Sequence, residues 1–240
     1  HDNLLFVNSY LTNLTYPTKI STNLSLDKIF EFSVAKYKLK YKEDFVCFSP
    51  ERFVKIENQF IFLNPMKGTI DASIENAEHV ILEDKKEKAE HATIVDLIRN
   101  DLSLVAENVE VTNYRYIDEV KTNDKTLLQV SSEIRGKLND DYIQNLGTIF
   151  DQLLPAGSIC GAPKKKTVEI ILEAEKYNRN FYTGVFGVFD GENLDSAVMI
   201  RFIENNQGEL FFKSGGGVTA KSDVKAEYEE LIQKVYVPIY

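Results

Sequence analysis

The chain has 240 residues, 43% of them hydrophobic and 27% charged, which is enough apolar material for one water-soluble domain with a sizeable core. A formal charge of −9, with no basic cluster beyond Lys164, Lys165 and Lys166, excludes a phosphate-tracking nucleic-acid binder. No run approaches the roughly 20 apolar residues of a membrane span.

The start, HDNLLFVNSYLTNLTYP, has no basic segment followed by an apolar one, so no signal peptide is expected. It also begins without methionine and is not expected to be a native start. Two cysteines, Cys47 and Cys160, are too few for a disulfide framework, and a reducing cytoplasm is the expected location. LSLDKIFEFSVAKYKL reads as a helix opened by a Ser or Asp cap. DFVCFSPERFVKIENQFIFL alternates and is rich in Phe, Val and Ile. It reads as strand, break at Ser49-Pro50, strand, tight turn at Asn58-Gln59, strand. NPMKGTI follows and places Lys67 beside Gly68 at a strand end, where a lysine is ordinarily solvated.

Residues 83–106 are helical by the spacing of Ile94, Val95, Leu97, Ile98 and Leu102. A second helix is expected over roughly 141–153, and a third from Pro163, a good first-turn residue. Three strands are expected next, FYTGVFGVFDG, LDSAVMIRFIEN and GELFFKSGGGV, joined by short antiparallel connections. DVKAEYEELIQKVY closes the chain as a helix whose apolar face is Tyr228, Leu231, Ile232 and Val235. Strand clusters separated by helices, without strict alternation, indicate α+β: two packed, mainly antiparallel sheets flanked by helices. Residues 1–240 read as a single domain.

Several groupings carry chemistry. Glu90 shares a helical stripe with Ile94, Leu97 and Asp101, so it borders the buried face, although acids also suit a solvated helix start. Glu227, Glu230 and Lys234 share a stripe of the last helix. Two carboxylates one turn apart suit a hard divalent cation, or an exposed Glu–Lys pair. Gly215, Gly216 and Gly217 leave a strand and lead toward a helix, where glycine lets a backbone approach a ligand. The stretch is not a dinucleotide fingerprint, and GSICGAPKKKT fails the Walker pattern because Pro163 stands at its lysine position. Arg201, read as mid-strand on the face of Ala197, Met199 and Ile203, needs an anion, either a protein carboxylate or a ligand.

FSPERF, PMKGT, AEHATIVDLIRNDLS, LPAGSICGAPKKKTVEII, YTGVFG, MIRF, SGGGV and EYEELIQK occur in an order that resembles the chorismate-utilising enzymes. That family includes the first components of anthranilate and aminodeoxychorismate synthases and the isochorismate and salicylate synthases. The resemblance runs from about residue 40 to 236, with NSYLTNLTYP similar to a weaker upstream region. It implies a single chorismate-binding catalytic domain of the family's two-sheet fold, short of part of the usual N-terminal region.

Anthranilate synthases typically carry alanine where this chain has Lys67, whereas bacterial-type aminodeoxychorismate synthases carry lysine. The resemblance therefore implies that Lys67 attacks C2 of chorismate and that ammonia then displaces it. Glu51 matches the general acid. Glu90 and Glu230, with Glu227 close by, match ligands of Mg2+. Arg201 and Tyr182 match groups that hold the enolpyruvyl carboxylate. Thr69, Ser158 and the Gly215–Gly217 backbone match further substrate contacts, and Lys234 lies beside the ring carboxylate. Gln129 stands where anthranilate synthases carry histidine. Ser158 and Cys160 replace the Thr and Ser of many relatives. The implied activity is Mg2+-dependent aminodeoxychorismate synthesis with ammonia from a separate glutamine amidotransferase, since this chain shows no glutaminase cysteine motif. The alternatives are anthranilate or isochorismate formation, or a non-catalytic binding module.

Overall fold

The computed structural model describes residues 2–6, 9–121 and 125–238. In chain order the elements are α1 (Asp2–Leu5), β1 (Leu11–Ile20), α2 (Leu26–Phe32), β2 (Tyr37–Tyr41), β3 (Phe45–Ser49), β4 (Arg52–Glu57), β5 (Phe60–Leu63) and β6 (Met66–Asp71). There follow α3 (Ala77–Glu83), α4 (Lys85–Leu102), β7 (Glu107–Lys121), β8 (Thr126–Lys137), α5 (Leu146–Leu153), α6 (Gly157–Cys160), β9 (Gly161–Ala162) and α7 (Lys164–Ala174). The chain closes with β10 (Val185–Phe189), β11 (Leu194–Val198), β12 (Phe202–Asn206), β13 (Glu209–Val218) and α8 (Val224–Gln233). Two large sheets with helices make this α+β, as expected. Contacts divide it into two compact units. Among the described residues no helix is long and apolar enough to cross a membrane.

The first unit comprises His1–Glu51, Ser158–Phe186 and Ala197–Tyr240. Its six-stranded sheet has the order β2-β3-β12-β13-β1-β9. β3 is buried along its whole length because alternate side chains feed two different clusters. Val46 and Phe48 pack with Leu26 and Ile29 of α2 and with Ile203 and Phe212. Phe45 and Cys47 pack with Tyr182, Met199 and Phe202. Each fully buried aromatic or branched side chain contributes roughly 1.5–3 kcal/mol. Burial pushes the Cys47 thiol up to about 12, which suits an inert core residue. α2 begins where Ser25 accepts the Lys28 N–H, the cap expected from LSLDK.

The second unit comprises Arg52–Gly157 and Gly187–Ser196. Its sheet runs β10-β11-β4-β5-β8-β6, with β7 also on β8. The long β7–β8 hairpin is absent from the sequence reading, although NVEVTNYRYIDEV alternates. α4 packs on β6, β7 and β8 through a face that includes Ile94, Val95, Ile98 and Leu102. Its start is fixed by Asp84, which accepts the Glu87 N–H at 2.9 Å.

Three local expectations are corrected. LDSAVMIRFIEN is not one strand: β11 ends at Val198, β12 starts at Phe202, and Arg201 sits in the link with φ +52°. The three glycines do not leave a strand. They lie inside β13, with Gly215 opposite Thr15, Gly216 opposite Leu14 and Gly217 opposite Asn13. No residue of α8 is buried, and Tyr228 and Ile232 of its expected apolar face are exposed.

Candidate active site

In the first unit, β3 delivers Glu51 just past its end. The Ser49 hydroxyl accepts the Glu51 N–H at 3.1 Å, which sets the turn. The Glu51 carboxylate accepts the Ser158 hydroxyl at 2.6 Å, a short charge-assisted bond that orients the acid. Ser158 is thus an immediate partner of the expected proton donor.

β13 and α8 build a second group in the same unit. A Cβ added to Gly216 would lie 3.7 Å from Glu227 Oε2 and 4.0 Å from Lys234 Nζ, so the bare strand faces both charged groups. Lys234 Nζ donates to the Gly215 carbonyl at 3.0 Å and pairs with Glu230 at 2.7 Å. Glu227 accepts the Ser222 hydroxyl at 2.7 Å. Gly215 itself is required by its neighbour strand, since a Cβ there would meet Thr15 Cγ2 at 2.6 Å and the Leu14 carbonyl oxygen at 2.8 Å.

Arg201 Nε is buried without a hydrogen-bond partner, and the guanidinium carbon lies 5.2 Å from the Tyr236 ring centroid. Among the described residues it has no carboxylate partner. That leaves its charge available for an anion, as the sequence required of a non-structural arginine. Tyr182 is a core side chain, and burial raises its phenol far above the usual range.

In the second unit, Lys67 is half-buried on β6, with Nζ 3.7 Å from Glu90 Oε2. Lys86 reaches the other Glu90 oxygen at 3.8 Å. Thr69, on the same strand, is exposed opposite Gln129. Two further groups, passed over as site residues in the sequence reading, stand near Lys67. Glu87 Oε2 lies 3.0 Å from where a Gly68 Cβ would be, and its carboxyl is raised by burial and by the Glu90 charge. His91 is fully buried, bonded through Nε2 to Ser132 Oγ at 2.7 Å, and held neutral by burial at a pKa of about 4. The signal for both was the spacing of Glu87, Glu90 and His91 on one turn of α4.

Among the described residues no set of three or more His, Cys, Asp or Glu side chains is gathered around a metal position. Pairs of carboxylates remain. They are hard oxygen donors, and Mg2+ typically takes one or two of them plus water and substrate oxygens. Glu90 on α4, and Glu227 and Glu230 one turn apart on α8, are each donors of that kind.

Comparison with known proteins supplies the family. The profile of the chorismate binding enzymes matches residues 12–239, and the chain belongs to that family. It is 57% identical to an uncharacterized PabA-like protein of Pasteurella multocida (strain Pm70), over 97% of this chain and 72% of that protein. It is 34% identical to aminodeoxychorismate synthase component 1 of Bacillus subtilis (strain 168), over 80% of this chain but 41% of the relative. Anthranilate synthase component I from Streptococcus pneumoniae TIGR4 superposes with a TM-score of 0.81 at 25% identity, covering 98% of this chain and 54% of that one. MenF, the isochorismate synthase of Escherichia coli, shares the fold with a TM-score of 0.79 at 17% identity, over 97% of this chain and 56% of its own. The chain thus spans about half the length of these solved relatives.

Proposed function

We propose that this chain is the chorismate-binding component of an aminodeoxychorismate synthase, turning chorismate and ammonia into 4-amino-4-deoxychorismate and water for p-aminobenzoate and folate synthesis. The observation that carries the reading is Lys67: a half-buried amine on β6, with one carboxylate within 4 Å, where anthranilate-forming relatives are expected to have no amine. The Bacillus subtilis relative, named as an aminodeoxychorismate synthase component, supports it.

In this reading the neutral Lys67 amine forms a bond to C2 of chorismate as both ring double bonds shift, to C1=C6 and C4=C5, and the 4-hydroxyl leaves. Glu51, oriented by Ser158, protonates that hydroxyl so that it departs as water. Ammonia then bonds to C4, both double bonds shift back, and the lysine amine leaves C2. Splitting one allylic substitution into two displacements lowers each barrier. Arg201 and Tyr182 hold the enolpyruvyl carboxylate. Lys234, Thr69 and the Gly215–Gly217 backbone hold the rest of the substrate. Glu90, Glu227 and Glu230 are the residues that would hold Mg2+, which neutralises substrate carboxylate charge when bound. Ammonia comes from a glutamine amidotransferase partner, in a reducing cytoplasm.

A second reading, anthranilate formation, is favoured by the Streptococcus pneumoniae structure. Product identification by mass spectrometry, with chorismate, Mg2+ and ammonium salt, separates the two. 4-Amino-4-deoxychorismate supports the proposal; anthranilate, isochorismate or no turnover overturns it. Lys67→Ala should slow formation of the 4-amino product by at least about 100-fold while chorismate still binds. Intact mass of the wild type with chorismate and Mg2+ but no ammonia should show an adduct mapping to Lys67. An adduct elsewhere, or full activity of Lys67→Ala, overturns the role of the lysine.

A further inference from the structure

β13 flanks β1 along most of its length, but on the other side β9 reaches only Leu11 and Thr12. Beyond them β1 is a sheet edge, and its outward main-chain groups need hydrogen bonds from elsewhere. Glu175, the residue that ends α7, and Arg179 supply them. The Glu175 carboxylate accepts the Thr15 N–H at 2.8 Å, and Arg179 Nη2 donates to the Asn13 carbonyl at 2.9 Å. The two side chains are joined by a fork, Nε to Oε2 at 2.8 Å and Nη2 to Oε1 at 2.7 Å, with the Glu175 side chain almost wholly buried.

The same guanidinium reaches further. Nη1 donates to the Ile159 carbonyl at 3.4 Å. Asn13, whose carbonyl Arg179 holds, donates through Nδ2 to the Ser158 carbonyl at 3.5 Å. Ser158 and Ile159 belong to α6, a single turn, and the carbonyls of a single turn have no following turn to bond. A cation is a favoured donor there. The base of this clamp is fixed as well: the Arg179 carbonyl accepts the buried Lys213 amine at 2.9 Å. Every one of these residues lies in the first unit, as does Glu51.

What the clamp holds is the backbone from which the Ser158 hydroxyl reaches the Glu51 carboxylate at 2.6 Å. A hydroxyl on a one-carbon side chain aims only as well as its own backbone is placed. We propose that Arg179 is a positioning residue for Glu51: paired with Glu175, it fixes Asn13 and the main chain at 158–159, and so directs the Ser158 hydroxyl onto the acid. It acts through Ser158 without touching substrate. The proposal rests on the reading of Glu51 as the proton donor to the departing hydroxyl.

The test uses the full chain as wild type, Arg179→Lys, Ser158→Ala and the double variant. Lysine keeps the charge beside Glu175 but has no fork, so it cannot hold the carboxylate and two carbonyls at once. One readout is the rate of chorismate consumption with Mg2+ and ammonium salt at saturating chorismate. The other is hydrogen exchange of the peptide spanning residues 158–162, which needs no activity. Arg179→Lys should slow consumption by about 10- to 100-fold, the scale of a small misplacement, and Ser158→Ala should slow it at least as much. Added to Ser158→Ala, Arg179→Lys should slow it by less than about twofold more, because the hydroxyl through which it acts is gone. Exchange at 158–162 should quicken by about tenfold in Arg179→Lys. Equal slowing in both backgrounds marks a residue that only supports the fold and overturns the proposal. A wild-type rate in either single variant overturns it too, as does unchanged exchange in Arg179→Lys. If Arg179→Lys does not fold, Asn13→Ala takes its place in both backgrounds: slowing of the wild type with none added to Ser158→Ala supports the proposal, and any other pattern overturns it. If the wild type consumes no chorismate, the functional reading has failed separately. Exchange at 158–162 then decides Arg179 alone.

Discussion

Gly68→Ala tests whether the bulge of β6 at Lys67, where Lys67 and Gly68 together face Val130 of β8, is built on a backbone only glycine adopts cheaply. Gly68 has φ +83°, a conformation that costs an L-residue about 1–2 kcal/mol. The added Cβ would also stand 3.0 Å from Glu87 Oε2 and 3.4 Å from Ile81 Cδ1. The carboxylate is the far end of a flexible side chain and yields, at a cost below about 1 kcal/mol, the scale of an off-rotamer shift. The sum is about 2 kcal/mol, and for a chain of this size the melting temperature should fall by about 4–8 °C. The chain has a second way out: the bulge can flatten into regular strand, which sends the side chain at 67 to the opposite face. Adduct formation with chorismate should therefore fall even where the protein stays folded. Urea and thermal unfolding of Gly68→Ala, Glu87→Ala and the double variant separate the parts. The contact appears as the coupling between them, and the φ cost remains in the double variant. Gly68→Ala within about 0.5 kcal/mol of wild type, with normal Lys67 reactivity, would refute the reasoning.

Two further outcomes are expected. His91 titrates near 4 in the folded protein against an ordinary 6.5, so between those values the unfolded chain binds a proton that the folded chain does not. Its contribution to stability is whole above pH 6.5 and is lost as pH falls toward 4, by up to about 3 kcal/mol. Urea unfolding from pH 7.5 to 4.5 should show an acid limb that is shallower in His91→Asn, and equal limbs would contradict this. Lys213, buried, pairs with Glu204 at 2.9 Å and donates to the Arg179 carbonyl at 2.9 Å. Lys213→Met should cost about 3–5 kcal/mol by stranding the carboxylate, and adding Glu204→Gln should recover part of it. A single variant of wild-type stability by chemical unfolding would show that Glu204 finds water instead.

Much of the molecule was legible because it is written locally. Ser25 before Leu26, Asn58-Gln59 between two alternating runs, and the spacing of Ile94, Val95 and Ile98 each report on a few neighbouring residues, and that cap, turn and helix appear where they were expected; the helix read through LSLDKIFEFSVAKYKL, however, stops at Phe32, and its end is strand β2 paired on β3. The motif order carried the family. The misses share a cause. Nothing within LDSAVMIRFIEN announces that Arg201 turns left-handed, because that link is set by the strand partners on either side, Phe202 on Cys47 and Val198 on Glu51. The glycine triplet read as a loop because glycine is usually punctuation. Here Gly215 is bare because β1 packs against it 200 residues away in sequence.

By itself, then, the sequence determined the class of fold, the family, and the charged and polar residues worth naming, since caps, turns and periodicity act within a few residues. Only the tertiary structure decided that Lys67 stands on a bulge, that Ser158 orients Glu51, and that His91 lies buried against Ser132. Those facts depend on the register of strands far apart in the chain. A register is the joint outcome of every pairing in a sheet and is not a property of any one segment.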